Sequence, residues 1–243
     1  MTAETLVHIT QNGRPEFYHA FVLGAELSGL ALVIWDARGW PWPVGRKIGF
    51  WIAVFFGGLA GSAIADWFSG GILHAQGDAC AIAPKTIIGG LLFGFWAAAL
   101  YKRALGLTTP TSDAFARGTC WMMAVGRIGC YFFPCCFGRA TTSWWGINFG
   151  DGIPRIPTQI IEAVLLFLIF IGLNIAHARR MWPDRRLFLL FIAYGLTRFG
   201  MEFLREPVSW IWMGWTYYQW LSLLLVLVGA MEWRRRYPVE AAA

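Results

Sequence analysis

The chain has 243 residues, of which 57% are hydrophobic and only 14% are charged, and its net charge is +6. A soluble domain of ordinary composition has about 25% charged residues, so this composition excludes a typical soluble domain and favours a protein embedded in a membrane. The positive charge does not indicate a nucleic-acid partner, because the basic residues form no patch on a soluble face.

Apolar stretches recur along the chain, each close to the length of about 20 residues that crosses a bilayer as a helix. Because they are continuously apolar rather than alternating, they predict helices and not the strands of a barrel. We therefore expect an all-α polytopic membrane protein with about seven transmembrane helices, forming a single integral membrane domain over residues 1–243. The first span should be retained, since residues 1–16 lack the basic-then-apolar order of a cleavable signal. The predicted spans are residues 17–35, 48–66, 86–103, 115–133, 158–177, 186–204 and 217–232.

The basic residues predict the orientation of these spans. Of the 20 Lys and Arg residues, thirteen fall at one side of the predicted membrane, in the connections or at span ends, and five fall at the other side. The other two, Arg127 and Arg198, lie farther inside spans. The positive-inside rule assigns the thirteen to the cytoplasm, so the N-terminus is expected outside and the C-terminus inside. The thirteen are Arg38, Arg46, Lys47, Lys102, Arg103, Arg117, Arg179, Arg180, Arg185, Arg186, Arg234, Arg235 and Arg236.

The fourth predicted span contains Arg127 near its outer end, in the sequence "VGRIGC". A charge at the centre of a membrane helix costs about 2.5–3.5 kcal/mol on insertion scales, so an arginine inside a span is a functional-site candidate. Gly126 and Gly129 would let a neighbouring helix or a lipid headgroup approach the backbone closely. The alternative is a structural arginine that pairs with a buried carboxylate or with backbone carbonyls.

The sequence "PRIPTQIIEA" leads into the fifth span. Thr158 is expected to cap the helix, and Gln159 and Glu162 share one helix face because they are three residues apart. Glu162 falls about one turn below the outer surface, where a buried carboxylate needs a cationic partner. Arg127 and Arg198 are both suitable partners.

The sequence "TRFGMEFLREP" closes the sixth span. Its spacing places Arg198, Glu202 and Arg205 on one helix face. Glu202 is expected to pair with one arginine and to leave the other with spare positive charge. Arg205 also fits the alternative of an interfacial arginine that extends to water, whereas Arg198 fits that alternative poorly.

These three segments all lie at the outer ends of the fourth, fifth and sixth spans. The planar guanidinium group binds phosphate oxygens in bidentate fashion, so several converging arginines are typical of a phosphate site. In a membrane, such a phosphate belongs to a phospholipid. The residues alone therefore predict a lipid-headgroup site that opens to the outer leaflet.

Four motifs, in order along the chain, resemble those of the prolipoprotein diacylglyceryl transferases. The sequence "IIGGLLFG" echoes the family's H-G-G-L-x-G, and "GRIGCYFFPCCFGR" resembles its G-R-I-G-N-F signature, which ends in G-R. The sequence "PRIPTQIIEA" is similar to the family's R-H-P-S-Q-L-Y-E-A element, and "RFGMEFLREP" is similar to its R-x-x-x-E-F-x-R-x-P element.

This resemblance implies a multi-pass enzyme of the bacterial inner membrane whose active site faces the periplasm. The family transfers a diacylglyceryl group from phosphatidylglycerol to the lipobox cysteine thiol of a prolipoprotein and releases glycerol phosphate, without a cofactor or metal. By position, Arg127 and Arg198 correspond to the family's catalytic arginines, which would stabilise charge on the leaving phosphate. The resemblance assigns substrate binding to Arg205, Glu202, Arg139, Gly138, Gln159 and Glu162.

The chain also departs from the family at several polar positions. Ile88 replaces the histidine before G-G-L, and Ile156 replaces the histidine of R-H-P. Because a candidate for thiol activation is lost, two alternatives stay open. One is a divergent paralogue that uses the same phospholipid donor with a different acceptor, and the other is a non-catalytic phospholipid binder or transporter. The remaining departures are Cys130, Phe133, Cys135 and Ile161.

Residues outside these motifs provide further candidates. His74 lies on the outer side and is a candidate base because imidazole titrates near neutral pH, although a solvated loop histidine is the simpler interpretation. Cys80 could form a disulfide with Cys135 or Cys136 on the oxidising side, and Cys135 is also a candidate nucleophile. No zinc site is expected, because the cysteines lack a second C-x-x-C pair or a nearby histidine pair.

Overall fold

The structure is a computed structural model that describes residues 14–69, 86–133, 136, 138–205 and 211–236. Seven α-helices make up most of these described residues, which confirms the all-helical prediction. Each helix matches a predicted span to within about one helical turn at either end. The helices are α1 (Pro15–Ala37), α2 (Val44–Phe68), α3 (Ile87–Ala104), α4 (Ser112–Phe132), α5 (Thr158–Ala178), α6 (Arg186–Met201) and α7 (Tyr217–Arg235).

Short extended segments join some of the helices. A single 3₁₀ turn, Glu202–Leu204, continues α6 and explains why the α-helix ends before the predicted boundary of the sixth span. Two antiparallel hairpins pair β1 with β2 and β3 with β4. The strands are β1 (Ile147–Asn148), β2 (Pro154–Arg155), β3 (Ile211–Trp212) and β4 (Trp215–Thr216).

Within the described residues, four helical segments are long and apolar enough to cross a membrane. They are Glu16–Ala37, Val44–Phe68, Thr158–Ala178 and Arg186–Leu204. Their outward faces carry large apolar side chains that a soluble protein would bury, so lipid is the environment that fits them. Examples that are more than half exposed are Leu27, Ile34, Ile52, Phe55, Leu168, Ile171 and Leu196.

The chain forms two compact units. The first comprises Met1–Arg38, Pro110–Glu206 and Ser222–Ala243, and the second comprises Gly39–Thr109 and Pro207–Leu221. Helices α1, α4, α5 and α6 pack together in the first unit. Their buried core is formed by Cys120, Ala124, Leu166, Phe188, Leu190 and Phe191.

Glycines set the closest helix contact of the first unit. A Cβ atom on Gly29 of α1 would lie 2.8 Å from the backbone oxygen of Gly118 on α4, and one on Gly118 would lie 2.5 Å from the oxygen of Gly29. Neither position can hold a larger residue without separating the helices, because real Cβ atoms do not approach oxygen so closely. Small residues of this kind are typical of helix contacts in membranes.

Ion pairs tie the helices of the first unit together at its basic end. Arg117 of α4 contacts Asp36 of α1 at 2.5 Å and donates a hydrogen bond to Asn174 of α5. At the other edge of this end, Arg186 pairs with Asp113 at 3.2 Å. This end contains basic residues that the positive-inside rule assigned to the cytoplasm, and Arg117 and Arg186 among them have acidic partners.

The second unit is built on a close contact between α2 and α3. A Cβ atom on Gly61 would lie 2.5 Å from the backbone oxygen of Gly89, so the glycines of "IIGGLLFG" allow tight helix packing. Ile88, which stands where the family has a histidine, is only 2% exposed. In this unit the motif thus serves packing, and Ile88 is a buried apolar residue.

Candidate functional site

The three predicted motif segments of the first unit meet at the end opposite its basic end. Helix α4 carries Arg127 near its C-terminus, the first turns of α5 carry Gln159 and Glu162, and the last turn of α6 carries Arg198. Glu202 follows in the 3₁₀ turn. Helix α5 runs in the opposite direction to α4 and α6 along the chain, so its start lies beside their ends.

All the charged groups here are buried, which is costly unless charges are paired. Arg127 is 9% exposed, Arg198 is 5% exposed and Arg205 is 7% exposed. The carboxylates are even less accessible, since Glu162 is 2% exposed and Glu202 is 4% exposed. Together these five side chains form what we call the arginine cluster.

Two ion pairs organise the arginine cluster. Nη2 of Arg127 lies 3.0 Å from Oε1 of Glu162, and Nη2 of Arg198 lies 3.1 Å from Oε2 of Glu202. Of the two partners considered for Glu162, the structure therefore selects Arg127. It also confirms that Glu202 pairs with one arginine of its own segment, which is Arg198.

Arg205 completes the cluster without being the principal partner of either carboxylate. It interacts electrostatically with Arg127, Glu202 and Glu162, so the three guanidinium groups belong to one site. Three positive charges against two negative charges leave the cluster with a net charge of one positive unit. That surplus matches the single negative charge of a phosphodiester.

The guanidinium group of Arg127 has a buried nitrogen without a hydrogen-bond partner among the described residues. Nε of Arg127 is fully buried and has no hydrogen-bond partner among the residues that the structure describes. A buried donor without a partner costs about 1–3 kcal/mol, more for a charged group. Such a group needs an explanation, and an anion bound beside Arg127 would supply one.

Tyr194 is a site residue that the sequence reasoning missed. Its ring is 1% exposed, its hydroxyl is hydrogen-bonded to Arg127, and it interacts electrostatically with Glu162 and Arg198. Because a guanidinium can only donate, the tyrosine oxygen accepts this bond and its own O–H proton remains available for an acceptor. The spacing was a usable signal, since Tyr194 stands four residues before Arg198 on the same face of α6.

Gly138 and Arg139 lie in a small layer of extended chain beside the cluster. A Cβ atom on Gly138 would lie 2.6 Å from Cβ of Ile156 and 2.7 Å from the backbone oxygen of Leu204. Gly138 is thus required by the close approach of two chain segments. Arg139 is exposed, and its Nε donates to the backbone oxygen of Arg205 at 3.0 Å. It holds the segment that carries Arg205 and lies outside the buried cluster.

The start of α5 differs from the sequence prediction. Pro157, not Thr158, is the N-terminal cap of the helix, and the cap makes no side-chain hydrogen bond. The hydroxyl of Thr158 instead donates to the backbone oxygen of Cys136 at 2.7 Å. The capping prediction was wrong because the proline takes the boundary position and the threonine is then the first helical residue. Gln159, next in sequence, is 1% exposed.

The cysteine environment was only partly foreseen. Cys136 has a left-handed backbone with φ of 69°, and it interacts electrostatically with both Arg127 and Arg205. Cys120 is fully buried in the core of the first unit. His74, Cys80 and Cys135 lie outside the described residues, and so do the predictions made for them. Among the described residues, no group of three His, Cys, Asp or Glu side chains is placed to hold a metal.

The fold and the cluster define a class of helical membrane protein with a buried, arginine-rich cluster of charges. Comparison with known families makes this specific: residues 85–234 match the family model for prolipoprotein diacylglyceryl transferase. This match covers more than half of the chain and includes every member of the arginine cluster. The chain belongs to the prolipoprotein diacylglyceryl transferase family.

Individual relatives support the same assignment. A Wolbachia pipientis protein named phosphatidylglycerol–prolipoprotein diacylglyceryl transferase is 33% identical over 131 residues, which are 50% of each chain. A protein of that name from Geobacter sulfurreducens is 43% identical over 88 residues, 35% of this chain and 34% of the relative. A Coxiella burnetii protein of that name is 37% identical over 127 residues, 47% of this chain and 48% of the relative. The chain thus spans about half the length of these relatives or less.

Proposed function

We propose that this protein is a transferase that moves a diacylglyceryl group from phosphatidylglycerol to the lipobox cysteine thiol of a prolipoprotein. The observation that carries the proposal is the arginine cluster, with its surplus positive charge and the buried Nε of Arg127. The names of the relatives, which are bacterial, support the same donor and acceptor.

The proposed reaction is a substitution at the carbon of the diacylglycerol unit that bears the phosphate. A C–S bond forms as the thiolate attacks this carbon, and the C–O bond to phosphate breaks. Glycerol phosphate leaves with the electron pair, and the thiol proton passes to a base. Negative charge therefore grows on the phosphate in the transition state, and pre-positioned cationic donors lower the barrier for such a step.

We assign the role of phosphate contact to Arg127 and Arg198. Each guanidinium has five N–H donors, so an ion pair with a carboxylate does not exhaust its donors. Glu162 and Glu202 hold the two guanidinium planes in fixed orientations. Tyr194 adds an uncharged O–H donor beside Arg127.

The surrounding residues are proposed to shape the site. Arg205 supplies the third positive charge, and Arg139 fixes its backbone through the hydrogen bond to the carbonyl of Arg205. Gly138 permits the close chain approach, and Gln159 provides a buried amide on the face of α5 that carries Glu162. His74 is proposed as the base that receives the thiol proton.

The finer topology belongs to the same proposal. Seven spans would cross the bacterial inner membrane, with the N-terminus in the periplasm and the C-terminus in the cytoplasm, as one integral membrane domain over residues 1–243. The arginine cluster would then open to the periplasmic leaflet, where exported precursors arrive. The paired basic end of the first unit, with Arg117 and Arg186, supports a cytoplasmic location for that end.

A second candidate is a paralogue that uses the same donor with another acceptor. The observation that favours it is Ile88, which is apolar and buried where the family has a histidine. A non-catalytic phospholipid binder or transporter would keep the cluster and lose the reaction.

The test uses the full chain in nanodiscs that contain labelled phosphatidylglycerol, together with a synthetic lipobox peptide. Release of labelled glycerol phosphate and a lipidated peptide are expected, and both should be lost in Arg198→Gln. Release with other thiols but not with the peptide would favour the paralogue. If phosphatidylglycerol stays bound to the protein after transfer from nanodiscs to detergent and no product forms, the binder is favoured. If no phospholipid stays bound to the protein and no product forms, the headgroup site is refuted.

A further inference from the structure

A groove opens on the extended-chain layer beside the arginine cluster. Its volume is about 490 Å³, within the range of roughly 300–1,000 Å³ that is typical of ligand pockets. The lining is uncharged and is made of small or apolar side chains. The lining residues are Ala140, Thr141, Thr142, Ile153 and Pro154.

The layer has the hydrogen-bonding pattern of a small antiparallel sheet. Ala140 pairs with Arg155, whose other side pairs with Ile147. The N–H of Thr141 donates to the oxygen of Pro154 at 2.9 Å, and this bond fixes the floor of the groove. The groove is therefore held by backbone hydrogen bonds and does not depend on side-chain rotamers.

The same segment runs directly into the arginine cluster. Two residues before Ala140, Gly138 pairs with Arg205 as an isolated antiparallel bridge. The N–H of Arg139 donates to the oxygen of Leu204 at 2.9 Å. One extended segment, residues 138–142, thus lines the groove and pairs through its backbone with the segment that carries Arg205.

The apolar residues of the lining are exposed at the groove. They are Ala140, Pro154 and Ile153, and Ile153 is 41% exposed. The lining carries no charged side chain. The occupant should therefore be apolar and uncharged, in contrast to the anion expected at the arginine cluster.

We propose that this groove binds the acceptor polypeptide, in extended form, through the residues that immediately precede its cysteine. The inference rests on the proposed transferase function and assigns the acceptor its docking surface. The peptide lies along the segment of residues 140–142, with small uncharged side chains directed into the groove. Recognition of an extended peptide by a sheet segment and a shallow apolar pocket is a common binding mode.

The spacing brings the acceptor thiol to the donor phosphate. From Thr141 to Gly138 the chain advances three residues, which is about 10 Å in extended form. A peptide running alongside covers the same distance in three residues. If the residue three before the cysteine occupies the groove, the cysteine reaches the level of Gly138, beside Arg205.

The experiment maps where the acceptor peptide binds. A synthetic lipobox peptide carries a photoreactive benzoylphenylalanine three residues before its cysteine and is irradiated with the full chain in phosphatidylglycerol nanodiscs. Cross-links are expected within residues 140–154. Cross-links confined to other segments, or to lipid alone, would overturn the proposal.

A matched pair of substitutions provides a kinetic test. Thr142→Trp fills the groove, whereas Thr108→Trp makes the same change at an exposed residue outside it. We expect Thr142→Trp to raise the KM for the peptide about tenfold while kcat stays within about twofold, and Thr108→Trp to change neither. Equal KM values in both variants would contradict the groove assignment.

The two levels of the proposal fail in different ways. Cross-linking measures docking and requires no turnover, so it can be repeated with Arg198→Gln. Absence of glycerol phosphate with correctly placed cross-links would refute the transferase function and leave the docking surface intact. Turnover with cross-links elsewhere would refute the docking surface alone. If Thr142→Trp does not fold, the cross-links formed by the unaltered chain decide whether the docking surface is correct.

Discussion

Replacing both members of the Arg127–Glu162 pair separates a structural arginine from one that contacts phosphate. The two side chains are buried and 3.0 Å apart, so removing one leaves the other as an uncompensated buried charge. This costs about 3–5 kcal/mol. For a chain of this size each kcal/mol lowers the melting temperature by about 2–4 °C, so Arg127→Gln or Glu162→Gln should each lower it by roughly 6–20 °C.

The double variant Arg127→Gln/Glu162→Gln removes both charges and should regain most of that stability. It also leaves the net charge of the cluster unchanged, because one positive and one negative group are lost together. If Arg127 binds the leaving phosphate, kcat stays about 10²–10³-fold below the unaltered protein even in the stable double variant. The loss is then due to the missing guanidinium rather than to a changed electric field or to unfolding.

The assays are thermal melting in detergent and glycerol phosphate release per folded molecule. The Arg117–Asp36 pair provides a control, because it is a partly buried ion pair that lies at the basic end. The single variants Arg117→Gln and Asp36→Asn should lower the melting temperature, and the double variant Arg117→Gln/Asp36→Asn should regain most of it. None of these variants should lower kcat. If the double variant at Arg127 and Glu162 recovers both stability and activity, Arg127 is a structural residue and the assigned role is wrong.

Three further predictions concern other described residues. Gly138→Ala should lower stability by about 1–3 kcal/mol in melting experiments, because its Cβ would lie 2.6 Å from that of Ile156. Tyr194→Phe should lower kcat about tenfold with the melting temperature little changed, since only one hydrogen bond to Arg127 is lost, and an unchanged kcat would remove Tyr194 from the site. Burial raises the pKa of Asp113 above its usual 3.8. The carboxyl group of Asp113 therefore stabilises the fold fully below pH 3.8, and this stabilisation is lost as the pH rises through the pKa of the folded state. Melting experiments at several pH values should show this loss, and Asp113→Asn should abolish it.

The helices were predictable because their signal is local. Most residues of each helix are apolar, and the boundaries fall close to those read from the sequence. The shortened end of α6 was not visible, because the apolar pattern continues through the 3₁₀ turn at Glu202–Leu204. The pairings of Gly138 with Arg205 and of Ala140 with Arg155 were also missed, since segments of one or two residues leave no periodic pattern.

The site was predictable in composition but not in pairing. Spacing assigned Arg198 and Glu202 to one face, and the structure joins them. The choice of Arg127 for Glu162 depended on the packing of α4 against α5, which no local pattern contains. Tyr194 was overlooked because a tyrosine within an apolar helix resembles an ordinary core residue. Its role depends on a neighbour 67 positions away, counted from Arg127 to Tyr194 in the sequence.

The arrangement of three guanidinium groups and two carboxylates has a consequence for headgroup selection. A phosphodiester lipid carries one negative charge and would bring the net charge of the cluster to zero. Its binding would remove the electrostatic cost of an unbalanced positive charge in a medium of low dielectric constant. A terminal phosphomonoester, which bears nearly two negative charges at neutral pH, would overshoot that balance and leave an unscreened anion among apolar helices. If the cluster binds a lipid headgroup as proposed, it should therefore distinguish lipids by the charge of the phosphate, before any contact with the alcohol that follows the phosphorus.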